Sequence, residues 1–298
     1  MPGLADTLRF IVDHPLNRGR PLPALWRFAS WQVRSRLARG PVVHQWVDGA
    51  KFYVRRGETG LTGNIYCGLH EYADMSFILH AAGHDDLFVD VGANAGSYTL
   101  LACAARGARG VAIEPVPETF GRLVANLELN GLGDRVRAEN VGVGAEAGEL
   151  EFTAGRDCMN HVVAAGETYP GPKVAVPIRT MDDLLGGESA TLLKIDVEGY
   201  EALVLQGAQA ALANPSLRAV IMEINGSEAR YGFDEASLFG TMMDLGYRSF
   251  RYDPMERRLS EERSRAVTAG NQLFIKDLPI VADRVRGSTT VEIFGRRF

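Results

Sequence analysis

Asp90-Val91-Gly92-Ala93-Asn94-Ala95-Gly96 is the stretch of sequence that decides the fold of this chain. It begins within the end of the apolar run 87–91 and leads into a helical pattern that begins near Ser97. Glycine accepts a positive φ and lets a ligand approach the backbone without a Cβ in the way. Ligands of open α/β sheets bind outside the carboxyl ends of the strands, where this loop lies. The stretch therefore predicts a buried strand, a tight turn and a helix that together hold a nucleoside, with Asp90, Gly92, Asn94 and Gly96 as contact residues.

Glu114 is the second part of this predicted site, because it ends the next apolar run. Doubly wound folds place an acid about 20 residues after the loop, where it accepts hydrogen bonds from ribose hydroxyls. A nicotinamide site prefers glycine at positions where this chain has Asn94 and Ser97, which disfavours the alternative of a nicotinamide-dependent oxidoreductase. The ligand-free alternative is a tight turn with Glu114 at a solvated strand end.

The pattern after residue 86 predicts the sheet. Five apolar runs alternate with helical patterns, at residues 87–91, 110–114, 136–141, 191–196 and 219–224. Such alternation indicates buried parallel strands joined by crossover helices. Residues 247–252 and 272–275 are expected to pair as an antiparallel edge. The fold class is therefore α/β, a Rossmann-like doubly wound sheet, mostly parallel, with extra strands in an insertion at about 143–180.

Three segments make up the predicted domain organisation: a helical extension over 1–41, the α/β domain over 42–277 and a tail over 278–298. Within the domain, Asp48-Gly49 suits a two-residue hairpin turn between residues 42–47 and 51–54. Residues 59–64 are expected to form a flexible polar loop, followed by a helix over about 71–82. The tail shows no pattern that predicts a structure.

The N-terminal extension is the one basic block of the chain. Its first 40 residues hold the arginines Arg9, Arg18, Arg20, Arg27, Arg34, Arg36 and Arg39. The same 40 residues contain only two acidic residues, Asp6 and Asp13. Apolar residues recur there at helical spacing, at positions 25, 28, 29, 33 and 37, and predict an amphipathic helix. Such a helix serves as a cap on the domain, as a homo-oligomer contact or as a peripheral contact with an anionic membrane.

Composition limits which partners and which cellular compartment we expect. The net charge of -5 disfavours a nucleic-acid partner, because such proteins usually carry a basic face. Cys67, Cys103 and Cys158 are odd in number and fit no metal spacing, which favours a reducing compartment. No apolar run is long enough to span a bilayer, and the N-terminus lacks the features of a signal peptide. We therefore expect a cytoplasmic protein, with membrane contact limited to the periphery.

Several segments also carry a resemblance to a known family. They are Phe88-Val89-Asp90-Val91-Gly92-Ala93-Asn94-Ala95-Gly96-Ser97-Tyr98-Thr99, Glu114-Pro115, Leu193-Lys194-Ile195-Asp196-Val197-Glu198-Gly199-Tyr200-Glu201 and Met222-Glu223-Ile224. Together they resemble the FkbM-like methyltransferases, from about residue 60 to about residue 277. The resemblance implies a class I methyltransferase fold and methyl transfer from S-adenosylmethionine to a hydroxyl of a small molecule, such as a sugar, glycan or secondary metabolite.

In that fold the end of the fourth strand faces the sulfonium, so Asp196 and Glu198 border the reaction centre. An attacking hydroxyl must lose its proton, and a carboxylate or histidine accepts it. Asp196 and Glu198 are therefore candidate bases, with His161 as the alternative. The two acids, joined by Glu223, are also candidate ligands of a divalent metal. In the purely structural alternative, Asp196 caps the following helix.

Further residues are expected to contact the two ligands. The candidates for the cofactor are Tyr98, Glu71, Asn64 and Asn140; those for the acceptor are Asn160, Glu223 and Asn225. Asn140 is chosen because it follows the third strand, near the expected adenine. A further alternative is a non-catalytic protein that binds S-adenosylmethionine and assists a biosynthetic partner.

Overall fold

An eight-stranded sheet forms the centre of the protein in the computed structural model, which describes residues 3–155, 157–262 and 270–298. The strands, in chain order, are β1 (Val42–Gln45), β2 (Lys51–Val54), β3 (Leu87–Val91), β4 (Arg109–Ile113), β5 (Val136–Glu139), β6 (Gly142–Val143), β7 (Gly148–Thr153), β8 (Lys173–Arg179), β9 (Leu192–Ile195), β10 (Ala219–Ile224), β11 (Arg248–Asp253), β12 (Arg258–Glu261), β13 (Gly270–Ile275), β14 (Glu292–Ile293) and β15 (Arg296–Arg297).

The strand order of the central sheet is β12-β11-β13-β10-β9-β3-β4-β5. The five strands from β10 to β5 are parallel neighbours. In contrast, β13 lies antiparallel between β10 and β11. The predicted mostly parallel sheet with an antiparallel edge is thus confirmed, and β12 extends that edge by one strand that the sequence pattern did not indicate.

Helices cover both faces of this sheet. They are α1 (Leu4–Asp13), α2 (Pro21–Leu37), α3 (Thr59–Cys67), α4 (Tyr72–Ala81), α5 (Ser97–Thr99), α6 (Pro117–Leu129), α7 (Met181–Leu185), α8 (Glu201–Gln206), α9 (Gln209–Ala213), α10 (Glu235–Asp244) and α11 (Leu278–Gly287). Successive side chains of a strand point to opposite faces. Phe88 accordingly joins one buried cluster and Val89 the other, which explains why β3 is buried throughout.

The two chain ends pack on the same core as the sheet. The buried residues Ile11 and Trp31 of α1 and α2 belong to the cluster that contains Phe88. The segment without a predicted structure forms α11, which buries Val281 and Val285, followed by the hairpin of β14 and β15. None of the helices in the described ranges combines the length and the apolar character needed to cross a bilayer.

Two local expectations were wrong. The predicted polar loop at 59–64 is the first part of α3, because Leu61 and Ile65 are buried against the core, and this packing outweighs the poor helix propensity of the glycines. The hairpin of β1 and β2 is present, but its turn is longer than two residues. Asp48 and Gly49 have positive φ within a turn closed by a hydrogen bond from Trp46 N to Ala50 O.

The insertion forms a small sheet of its own, in the order β6-β8-β7. β7 and β8 are antiparallel over Gly148 to Thr153, whereas β6 pairs in parallel with the end of β8. The predicted extra strands are confirmed. The segment between β7 and β8 contacts α3 and therefore lies close to the loop after β3.

We expect the N-terminal extension to contribute to the stability of the domain. Trp31→Ala should lower the free energy of unfolding by about 3–5 kcal/mol, because it removes a large buried side chain. The matched variant Trp26→Ala removes the same ring where it is 73% exposed, and should change stability by about 0.5 kcal/mol or less. Urea unfolding measures both. Similar small effects would show that α2 does not pack on the core as described.

Candidate functional site

The site lies where the strand order of the parallel part of the sheet reverses, between β3 and β9. Asp196 N donates a hydrogen bond to Val91 O at 2.9 Å, which joins the two strands at their carboxyl ends. Gly92 follows with a φ of 80°, and a Cβ there would lie 1.8 Å from Asp196 O. Only glycine therefore allows the loop after β3 to contact the backbone after β9. Ligands of doubly wound sheets bind at such a reversal point.

Glu114, at the end of β4, forms a hydrogen bond with the loop after β3. Its carboxylate accepts hydrogen bonds from Asn94 N and Val116 N, both at 3.0 Å. Asn94 adopts a φ of 50°, and its Oδ1 accepts from Ala95 N. Burial raises the pKa of Glu114 to about 7. The predicted partner of a ribose thus lies against the loop, with one acceptor position of each oxygen already occupied.

Asp90 and Asn140, two of the predicted cofactor residues, form hydrogen bonds that hold neighbouring segments of the chain in place. Asp90 accepts hydrogen bonds from the backbone N and the hydroxyl of Thr99, and burial raises its pKa to about 6. Asn140 donates to the carbonyl oxygens of Glu114 and Pro115. Asp90 therefore fixes the start of α5, and Asn140 fixes the turn after β4. Direct contact of either residue with a cofactor remains a prediction.

A buried polar network runs beneath the loop. Lys194 Nζ donates to Asp196 Oδ2 and to Asn271 Oδ1, each at 2.9 Å. Asn271 in turn donates to Glu71, which also accepts from the hydroxyl of Tyr98. Burial alone would lower the pKa of Lys194, but the nearby carboxylates raise it above its ordinary value. The lysine is therefore a fixed cation that links β9, β13 and α4.

Three carboxylates meet above this lysine. Asp196, Glu198 and Glu223 each offer an oxygen, and these oxygens lie within 4.8 Å of one another. Burial, together with the charges of Asp196 and Glu198, raises the pKa of Glu223 far above its ordinary value. Glu223 consequently holds a proton near neutral pH. The cluster combines a protonated acid with two carboxylates that can accept a proton or a cation.

The loop after β9 is shaped by Glu201 and not by Asp196. Glu201 is buried and accepts hydrogen bonds from Val197 N and Gly199 N. Glu198 between them adopts a φ of 55°. Because α8 begins only at Glu201 and its N-cap residue is Tyr200, the alternative that Asp196 caps this helix is wrong. The side chain of Asp196 is thus free of that structural role.

His161 has its ring nitrogens engaged within the insertion. Nε2 lies 2.9 Å from Glu167 Oε1, and Nδ1 lies 3.3 Å from Met159 O. The ring is also buried, so the carboxylates are the better candidates for the base. Asn160 lines a cavity of about 540 Å³ with Val116 and Arg122, next to the turn that holds Glu114. In the same predicted segment, residue 156 lies outside the described residues.

Two further predicted residues are Asn225, at the carboxyl edge of the sheet, and Asn64, in a helix. Asn225 follows β10 and accepts a hydrogen bond from Ser227 N. Asn64 is fully buried in α3, where its Oδ1 accepts from His70 N. Its Nδ2 has no hydrogen-bond partner among the residues that the structure describes. A buried donor without an acceptor is costly, and it indicates where a ligand oxygen fits.

Sequence reasoning did not assign a role to Lys194, Asn271 or Asp74. Lys194 could have been found, because a lysine within the apolar run of β9 must be paired when it is buried. Asn271 and Asp74 join the network only through the pairing of β13 with β10 and the position of α4. No local pattern in the sequence indicates those contacts.

This strand order, with a glycine loop after β3 and an acid after β4, defines a class I methyltransferase fold. Comparison with known families agrees with this class. The chain belongs to the methyltransferase FkbM domain family, which it matches over residues 90–252, more than half of its length. Comparison with curated proteins gives no match.

Solved structures give more distant similarities. A methyltransferase FkbM from Methylobacillus flagellatus is 17% identical with a TM-score of 0.45, covering 72% of this chain and 52% of that chain. This chain thus spans about half the length of that protein. A transferase from Pyrococcus horikoshii is 17% identical with a TM-score of 0.43, covering 80% and 72%. A methyltransferase from Streptococcus mutans, solved with SAH, is 8% identical with a TM-score of 0.41, covering 68% and 96%.

We expect Lys194 to be essential for the stability of the site. Lys194→Met should lower the free energy of unfolding by about 3–5 kcal/mol, because it leaves buried carboxylates without their cation. Lys173→Met removes a partly exposed ion pair with Glu151 and should cost about 1 kcal/mol or less. Chemical unfolding at neutral pH compares the two variants. Equal costs would contradict the description of Lys194 as the cation of a buried network.

The raised pKa of Glu114 predicts a pH-dependent stability. The folded protein holds this proton up to about pH 7, whereas the unfolded chain releases it near 4.5, so stability should fall as pH rises through that window. Glu114→Gln cannot ionise and should lose this part of the slope, a few kcal/mol at most. Unfolding from pH 5 to 8 tests this, with the exposed Glu128→Gln as control. Parallel slopes for Glu114→Gln and the unaltered protein would contradict it.

Proposed function

We propose that this protein transfers a methyl group from S-adenosylmethionine to a hydroxyl oxygen of a sugar, glycan or secondary metabolite. The observation that carries the proposal is the excess of carboxylates around one buried lysine at the carboxyl edge of the sheet. The charges of Asp196 and Glu71 both raise the pKa of Lys194, and burial together with the charge of Glu71 raises the pKa of Asp74. Such a site favours a cationic ligand, and S-adenosylmethionine carries a sulfonium and an ammonium group.

The polar groups beside the loop fit the rest of this cofactor. Each oxygen of Glu114 accepts one backbone hydrogen bond and retains a second acceptor position, which suits the two ribose hydroxyls. Asn64 offers a buried donor, which suits the carboxylate of the methionine part. We therefore assign ribose binding to Glu114 and carboxylate binding to Asn64.

The chain's own residues provide proton transfer. When bound, S-adenosylmethionine supplies a methyl group made electrophilic by the sulfonium. Asp196 or Glu198 accepts the proton of the hydroxyl as its oxygen forms the new bond to carbon and the carbon–sulfur bond breaks. Lys194 holds Asp196 in place through one oxygen. Glu223, which keeps its own proton, orients the acceptor with Asn225 and Asn160 in this proposal.

The same three carboxylates also form a donor set that suits a divalent cation, which prefers oxygen ligands. In this version of the proposal, Asp196, Glu198 and Glu223 hold the ion, which acidifies the acceptor hydroxyl. The two versions differ in their response to chelation. Loss of activity in EDTA that Mg²⁺ restores would favour the metal, and unchanged activity would favour a carboxylate base.

The cofactor is tested first, by calorimetric titration with S-adenosylmethionine, S-adenosylhomocysteine and NAD. We expect S-adenosylmethionine to bind and NAD not to bind. Asp196→Asn should weaken binding of S-adenosylmethionine about tenfold more than binding of S-adenosylhomocysteine, which lacks the sulfonium charge, because one negative charge is removed from the site. The exposed Asp134→Asn is the control. Binding of NAD in place of S-adenosylmethionine would contradict the proposed cofactor and favour the oxidoreductase alternative.

Catalysis is tested by the release of S-adenosylhomocysteine in the presence of a panel of sugars, polyols and phenols. Asp196→Asn or Glu198→Gln should lower turnover by about 10²–10⁴-fold if that residue is the base. If the double variant Asp196→Asn/Glu198→Gln turns over an acceptor as fast as the unaltered protein, neither residue is the base. Binding without turnover of any acceptor would favour the non-catalytic alternative.

A further inference from the structure

The outer face of α2 exposes large apolar side chains. Leu22 is 78% exposed, Trp26 73%, Val33 59% and Leu37 79%. At 100° per residue these four positions fall within about 60° of one another around the helix. We call them the outer stripe of α2. Monomeric proteins rarely expose so continuous an apolar surface unless it binds something.

The outer stripe is not the face that the helix uses to join the domain. Ala24, Trp31 and Ser35 lie on the opposite side and are buried. Val33 and Leu37, two of the apolar positions in the predicted amphipathic pattern, lie on the exposed side. α2 is apolar on two sides, and the packing of the domain uses only one of them.

A groove extends the outer stripe toward β1. It has a volume of about 840 Å³ and is lined by Trp26, Val33 and Leu37 together with Pro41 and Val43. Its walls are mainly apolar, and Arg34 stands at its edge. The exposed surface thus combines a shallow apolar depression with a tryptophan, a residue that favours membrane interfaces.

Cations flank the outer stripe. Arg36 and Arg34 lie about 40° to one side of it and 60° to the other, and Arg39 follows the helix. All three are exposed, and none forms an ion pair with a carboxylate of the described residues. α2 itself contains no acidic residue. This local charge contrasts with the net charge of -5 for the whole chain.

We infer that the outer stripe of α2 docks on an anionic lipid surface, with its apolar side chains at the boundary of the headgroups and its arginines on the lipid phosphates. Apolar residues between flanking cations are the pattern of helices that lie in a membrane interface. A symmetric dimer through the same patch would bring Arg34, Arg36 and Arg39 of both copies together, and this repulsion disfavours a second copy as the occupant.

The test is cosedimentation of the full chain with vesicles of phosphatidylcholine, with and without phosphatidylglycerol. We expect binding only to the anionic vesicles, weakened by salt. Arg34→Gln/Arg36→Gln should weaken it about tenfold or more, because each arginine near such a surface strengthens binding about fivefold. Arg248→Gln/Arg286→Gln removes the same charge from other exposed positions and should have little effect.

A second pair of variants tests the apolar contribution. Trp26→Ser/Leu37→Ser should reduce vesicle binding about tenfold or more, whereas Met243→Ser/Met255→Ser, exposed elsewhere, should not. Unfolding midpoints verify that all variants fold. Equal binding to neutral vesicles, no binding at all, or equal effects of both pairs would overturn the proposal. A dimer by light scattering that Trp26→Ser/Leu37→Ser dissociates would assign the surface to a second copy instead.

Discussion

The close contact between the loop after β3 and the backbone after β9 is the constraint on which the site depends. At this contact the two backbone segments touch and leave no room for a side chain, since a Cβ on Gly92 would overlap Asp196 O. The same contact fixes both ligands of the proposed reaction. On one side of it lies Glu114 with the loop, and on the other lie the carboxylates after β9 and at the end of β10. A displacement of either strand would separate cofactor and acceptor.

The second feature on which the site depends is the buried charge of Lys194 and its neighbouring carboxylates. Lys194 neutralises only part of the surrounding carboxylates, and burial shifts several of them toward the protonated form. The carboxyl edge of the sheet therefore holds both protons and negative charge. The cationic cofactor proposed above would complete this balance, because a cation favours ionisation of carboxyl groups that disfavour one another. In that proposal, binding and protonation at this site are two parts of one equilibrium.

The sequence patterns predicted what depends on neighbours along the chain. The bounds of β3 and β10 follow from their apolar runs, and the Gly92 turn and Glu114 follow from the spacing of loop and acid. What the patterns missed depends on contacts between distant segments. α3 is helical because it packs on α2, Glu201 rather than Asp196 holds the loop, and Asn271 reaches Lys194 only through the pairing of β13. Propensity and periodicity carry no information about such contacts.

Glu198 illustrates a conflict between foldability and chemistry. Its backbone lies in the left-handed region, which costs a residue with a Cβ about 1–2 kcal/mol and costs glycine almost nothing. A glycine there would relax the chain and remove one of the three clustered carboxylates in the same step. If Glu198 acts in the proposed reaction, selection for thermal tolerance and selection for turnover pull this position in opposite directions. A library screened only for robustness would then enrich a protein that folds better and turns over less.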